Sequence, residues 1–324
     1  MKAIVYRKNG PPDVLTCEEI EKPAPGDHEV LIKVCAAAVN PLDCHMLKGG
    51  PALMRLLFGP RRPKCPGVDV AGIVEAVGPG VTQFRAGDSV FGTCRGAFAE
   101  YAIAPESSLA AKPEGVPFED AAAAPVAALT ALQGLRNHGR ILTGQSVLVN
   151  GASGGVGTFA LQFAKISGAH VAAVCSARNA DLVRSLGADF VIDYTQEDFA
   201  KGRARYDLIF DLAGNHSFSA CRRVLSPHGI FVGAGVLDAP KSLVLMLLGL
   251  IVAFVRSWFS SRKFTTFVAK ANHEDLSFIG RLLAGGQLKS VIDKRYTLSE
   301  VPDAMRYQGT WRVRGKLVIK VCAS

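Results

Sequence analysis

Seven residues near the middle of the chain, Gly151-Ala152-Ser153-Gly154-Gly155-Val156-Gly157, carry little beyond backbone. Without a Cβ the chain can turn sharply and press its amides against a ligand. A strand, a glycine turn and a helix N-terminus together favour an anion, through free N–H groups and the helix dipole. Val147, Leu148 and Val149 read as the strand, and Thr158 onward as the helix, with Phe159, Phe163 and Ile166 on one face. The loop fits G-x-x-G-x-x-G and only loosely the usual G-x-G-x-x-G, so its flanks carry the signal. A dinucleotide pyrophosphate is expected on Ala152, Ser153, Gly154, Gly155, Val156 and Gly157. The next strand ends in Cys175-Ser176-Ala177-Arg178-Asn179, with no acid to accept from a ribose 2′-hydroxyl. The Ser176 hydroxyl and Arg178 guanidinium suit a 2′-phosphate, so NADP(H) is the expected cofactor. The opposing reading makes Arg178 a solvated residue at the start of the next helix. Tyr194, closing the strand FVIDY, is placed to cover the same phosphate. Gly214 follows DLIFDLA, and Gly233 and Gly235 follow IFV, at sheet ends where a dinucleotide passes; Asn215 adjoins them.

Those groups need a sheet to hold them. Apolar runs at 171–175, 207–212 and 230–232, separated by helical spacers, predict a doubly wound parallel sheet, a Rossmann unit. The ends of the chain differ. AIVY, EVLIKV, GIVEAV, SVFGT and FAEYAI alternate with turn signals such as PAPGD, GPGV and AGD, and the chain closes on VIDKRY and GKLVIKV. This pattern predicts a small, mostly antiparallel β-barrel into which the Rossmann unit is inserted. The expected bounds are 1–120 for the first part of a catalytic domain, 121–270 for the cofactor domain and 271–324 for the closing part. The cofactor would then lie in a cleft beside the barrel.

With 324 residues there is room for two cores, and 49% hydrophobic content says globular. Eight cysteines without C-x-x-C spacing favour reduced thiols in a cytoplasmic setting, and Met1 running straight into KAIVY predicts no cleavable leader. The net charge of +9 is compatible with an anionic cofactor or an anionic membrane surface. No helix carries a basic stripe interleaved with aromatics, which disfavours nucleic acid.

The succession PGVDVAGIVEAVGPGV, FRAGDSVFG, NGASGGVG, RSLGADFVIDY and RGKLVIKV resembles the medium-chain dehydrogenase/reductase superfamily over essentially the whole chain. VNPLD resembles its zinc-independent quinone oxidoreductase-like branch. The resemblance implies a GroES-like barrel with the Rossmann unit inserted, a homodimer, and hydride transfer from NADPH to a quinone or an α,β-unsaturated carbonyl. Zinc-dependent relatives carry a cysteine where this chain has Asn40 and a histidine-glutamate pair at Val68-Asp69, so no metal is expected. Cys44 and His45, read as extended chain, point to opposite faces and do not share a site. Asn40 is the first candidate to face a substrate oxygen, its alternative being a bond within its own turn before Pro41. Asp43 is read as organising the loop rather than transferring protons. His45 stands where related quinone reductases often carry tyrosine, as proton donor or as packing. Thr130 resembles the family's threonine near the nicotinamide. Lys316 matches a family lysine near the cofactor, against a plain surface lysine.

The run SLVLMLLGLIVAFVRSWFSSRKF departs from that family pattern. Leu243 to Val255 is uncharged but shorter than the about 20 residues a span needs. Burial over the substrate cleft or a subunit contact is one reading of 242–259, and an apolar mouth for a lipid-like acceptor is a second. Peripheral contact with a membrane surface is another, given the flanking Lys241, Arg256, Arg262, Lys263 and Trp258. Two other functions stand beside the reductase. One is an NADPH-binding sensor meeting RNA or membrane with little catalysis; the other is a zinc-dependent alcohol dehydrogenase with substituted ligands.

Overall fold

The computed structural model describes residues 1–49, 64–234 and 261–322. Two compact units result. One comprises Met1–Leu129 with Lys270–Ser324, the other Thr130–Ala269. The first unit therefore runs through Leu129, past the boundary at 120 suggested by composition.

In the first unit β1 (Lys2–Val5) pairs with β2 (Thr16–Glu19), and β3 (Glu29–Val39) is the central strand of a larger sheet. β4 (Asp69–Val77), β5 (Ser89–Thr93), β6 (Tyr101–Pro105) and β7 (Leu109–Ala111) complete its N-terminal part; β14 (Ile292–Thr297) and β15 (Lys316–Lys320) return to it from the C-terminal part. Its order is β14-β15-β3-β4-β5-β7, with β6 also on β3, and every pair but β14–β15 is antiparallel. The barrel's interior is Ile4, Val30, Ile32, Val34, Val39, Val70, Phe98, Leu109, Leu317 and Ile319, all but out of contact with solvent. Residues two apart on one strand share a face, so the EVLIKV alternation turns Val30, Ile32 and Val34 inward together.

The second unit holds β8 (Ser146–Asn150), β9 (His170–Cys175), β10 (Phe190–Asp193), β11 (Tyr206–Asp211), β12 (Leu225–Gly233) and β13 (Lys263–Thr266). Their order is β10-β9-β8-β11-β12-β13, parallel throughout, which is the doubly wound Rossmann arrangement expected from the sequence. Strand order reverses beside β8, and ligands bind at that switch point outside the carboxyl ends of the strands. On one face Phe231 stacks on Phe264 with ring centroids 5.5 Å apart, and Phe218 meets both edge-on. On the other, the helix Gly155–Ile166 buries Phe159, Leu161 and Phe163. That helix starts at Gly155, earlier than the apolar spacing from Thr158 indicates, because glycines can occupy a first turn without contributing to the periodicity.

Gly235 and the segment 242–259 lie outside the described residues. Among the described residues no helix is long and apolar enough to cross a membrane.

Candidate functional site

β8 ends at Asn150, and Gly151 turns the chain with φ of +84°, a conformation that a side chain strains. Gly154, extended, precedes the helix, which thus begins without a side-chain cap. Its first-turn amides, on Gly155, Val156 and Gly157, have no partner within the helix and point toward the strand ends. Gly157 cannot be anything larger: a Cβ there would stand 2.3 Å from the Gly151 carbonyl oxygen. Glycine lets helix and elbow close on one another, leaving a concave rim of N–H groups suited to a diphosphate. Ala152 is buried, its amide donating to the Val174 carbonyl at 3.1 Å; Ser153 is half-buried with its hydroxyl on the rim.

At the end of β9, Ser176 is half-buried and Arg178 exposed. Tyr194 follows β10, and its amide donates to the Cys175 carbonyl at 3.2 Å, so its backbone stands beside the same strand end and its side chain is exposed. Register explains this: Asp193 pairs with Cys175. Sequence reasoning passed over Asn179. It is buried, and its Nδ2 donates to Ser153 Oγ at 2.9 Å and to Ser176 Oγ at 3.4 Å.

Across the switch point, buried Asp211 organises the turn after β11. It accepts from Asn150 Nδ2 at 2.8 Å and from the amides of Ala213 and Gly214 at 3.2 and 3.1 Å. Burial raises its carboxyl above the usual range, and those donors partly restore it. Asn150 Nδ2 also donates to Asn215 Oδ1 at 2.8 Å, so Asn215 belongs to this network, exposed at its edge. Gly233 ends β12 half-buried. Thr130 is half-buried in the helix Pro125–Gln133.

The first unit holds a second cluster, built by three strands. β15 runs antiparallel to β3 with Leu317 opposite Val39, and β4 pairs with β3 with Asp69 opposite Ala38. Lys316, Asn40 and Asp69 thereby meet at one end of the sheet. Lys316 Nζ lies 3.0 Å from Asp69 Oδ2 and donates to Asn40 Oδ1. Asn40 Nδ2 donates to the same Asp69 oxygen at 2.9 Å, and the Val126 amide to Oδ1 at 2.9 Å. Asn40, Asp69 and Lys316 are all essentially buried. The structure thus corrects two sequence expectations. Lys316 is neither a surface lysine nor open toward a ligand, because a buried ammonium needs its carboxylate. Asn40 spends both ends of its amide inside the protein, on Asp69 and Lys316 as well as in the capping box of its own turn, rather than on a substrate oxygen.

Asp43 is also buried, in the helix Pro41–Lys48, and accepts from the Asn40 amide at 2.7 Å. Burial pushes its carboxyl up to about 7, and the charge of Asp69 adds to this; the amides of Asn40 and Gly67 and the charge of Lys316 pull the other way. The helix also corrects the extended-chain reading of Cys44 and His45. Successive helical residues stand about 100° apart, so Cys44 turns inward, its thiol 3.7 Å from the Met305 carbonyl. His45 is half-buried with its ring 6.4 Å from that of exposed Trp311.

The site fails a zinc test on its own chemistry. The position for a thiolate holds an amide, and the neighbouring carboxylate is already bound by an ammonium. Among the described residues no three His, Cys, Asp or Glu side chains cluster to hold a metal.

Residues 26–114 match the family described as alcohol dehydrogenase GroES-like domain, and residues 186–319 the one described as zinc-binding dehydrogenase. The chain is 35% identical over 316 residues to a chloroplast envelope quinone oxidoreductase homolog of Arabidopsis thaliana, covering 93% of this chain and 92% of that protein. The chain belongs to the medium-chain dehydrogenase/reductase superfamily, in its quinone oxidoreductase-like branch. Within that branch it is 34% identical to an NADPH-dependent alkenal/one oxidoreductase of the same plant, over 98% of this chain and 79% of the other. A quinone oxidoreductase from Coxiella burnetii superposes with a TM-score of 0.88 at 32% identity, over 99% of both chains. The chain is accordingly an oxidoreductase with a GroES-like domain and a Rossmann domain. Asp69 was legible as the one acid in the apolar run VDVAGIV. Asn150 and Asp211 gave no such signal, since a polar residue ending a strand is ordinary.

Proposed function

We propose that the chain is an NADPH-dependent, metal-independent reductase that delivers a hydride to a quinone or an enone or enal. The observation that carries this reading is the acid-free end of β9. There Ser176 and the exposed Arg178 follow the strand, a hydroxyl and a guanidinium that favour a phosphate on the adenosine ribose over a bare hydroxyl. The relatives' names, quinone oxidoreductase and alkenal/one oxidoreductase, support the acceptor class.

When bound, the nicotinamide supplies the hydride. The chain's own residues bind and orient. The elbow Ala152–Gly157 holds the diphosphate, Ser176, Arg178 and Tyr194 the additional phosphate, and Gly214, Asn215 and Gly233 line the far end of the dinucleotide. Thr130 belongs to the same set by resemblance. With Lys316 paired to it, the Asp69 carboxylate is not free to hold a Lewis acid. An acceptor already electrophilic at carbon or oxygen needs no metal to polarise it. Asn40 and Asp43 serve this site as positioning residues, holding Lys316 and the first turn of the Pro41–Lys48 helix. The product's proton comes from solvent or from His45, the least enclosed of the three sequence candidates.

Steady-state oxidation of NADPH and NADH, with quinones, enals and enones as acceptors, tests the proposal on protein whose metal content has been measured. Turnover with NADPH in metal-free protein is expected. No turnover with any acceptor, or turnover that tracks one zinc per chain, overturns it. NADPH binding without turnover would favour the sensor instead.

A further inference from the structure

Asn179 ends the helical turn Ala177–Asn179, which runs straight into the short helix Ala180–Ser185, and its side chain bonds none of that helix's amides. It turns to the glycine elbow instead. One Nδ2 group joins Ser153, on the elbow, to Ser176, at the end of β9, at 2.9 and 3.4 Å. The side chain is buried and its Oδ1 accepts from nothing among the described residues. Leaving a buried carbonyl oxygen without a partner costs stability, so the orientation calls for a compensating role.

A hydroxyl has one hydrogen to donate and can accept with its lone pairs. Because Asn179 donates to both serines, each hydroxyl meets it as an acceptor. Neither Ser153 nor Ser176 spends its own hydrogen on another described group. Both O–H bonds are left to turn outward, which is the polarity an anion requires. An oxygen in the place of Nδ2 would do the reverse, drawing both hydrogens inward and presenting lone pairs to the ligand. We infer that Asn179 is a positioning residue that sets the hydroxyls of Ser153 and Ser176 as paired donors to the 2′-phosphate of NADPH, and so helps select NADPH over NADH. This rests on the cofactor reading above.

Asn179→Asp is the near-isosteric test, with Asn179→Ala beside it. Dissociation constants for NADPH and NADH by calorimetry are measured together with kcat and KM on an accepted quinone. Asn179→Asp is expected to weaken NADPH by about 10- to 100-fold, the scale of one hydrogen bond to a charged group. NADH should change by less than about threefold, and kcat at saturating NADPH should stay near the parent's. Asn179→Ala should fall between the two. Equal weakening of both cofactors would mark a merely structural role and overturn the inference, as would an Asp variant that keeps the parent's preference. A parent chain without preference for NADPH would overturn the cofactor reading, and this inference with it.

Discussion

Removing Lys316 should leave one of the most costly defects a single substitution can make in this chain. Its Nζ stands 3.0 Å from Asp69 Oδ2, with side-chain exposures of 3% and 0%. At that separation the pair attracts by about 5 kcal/mol in an effective dielectric of about 20. The attraction offsets the desolvation of two ions, so the net value of the pair is small while the loss of one partner is not. Lys316→Met leaves Asp69 enclosed with only Asn40 and the Val126 amide, and should cost about 3–5 kcal/mol. Asp69→Asn strands the ammonium at similar cost. The double variant removes both charges and should lose at least about 2 kcal/mol less than the two singles together. Urea unfolding read by Trp311, in a Trp258→Phe background, reports on the first unit, where Trp311 lies. Additivity within about 0.5 kcal/mol would refute the coupling, and with it the account of why Lys316 is buried.

Asp43 supplies a pH signature. Its ordinary value is 3.8 and its value in the fold is about 7, so between these pH values the folded chain holds a proton that the unfolded chain has released. Its contribution to the unfolding free energy therefore falls as pH rises through that window, by up to about 4 kcal/mol. Asp43→Asn should flatten the slope, gaining on the parent from pH 4.5 to 7.5 in urea midpoints; parallel profiles would refute the shift. Gly157→Ala should lose about 1–3 kcal/mol of stability or displace the elbow, since its Cβ would stand 2.3 Å from the Gly151 oxygen. Calorimetry should then show NADPH binding weakened by at least about tenfold, and an unchanged affinity would remove the elbow from the binding site.

Parts of this protein were legible because they are local. The elbow 151–157 needs only glycines between an apolar run and a helix. The doubly wound parallel sheet follows from apolar strands alternating with helical spacers. Boundaries were less legible: glycines at 155 and 157 hid the start of their helix, and Cys44 and His45 read as extended although Pro41 opens a helix there. Proline suits a first helical turn, but eight residues carry too little apolar periodicity to announce one.

The sequence by itself determined the glycine elbow and the missing acid at the end of β9, since each depends on residue types within a few positions of one another, and the two-part architecture through its succession of strand and helix patterns. Only the tertiary structure decided that Lys316 is buried rather than exposed. Its partners lie 247 and 276 residues away and meet it through the register of β15 on β3 and β3 on β4. It also decided that the Asn179 side chain meets the elbow, 26 residues distant. Pairing across strands sets such contacts, and the pattern along one strand shows which face a residue takes but not whom it meets.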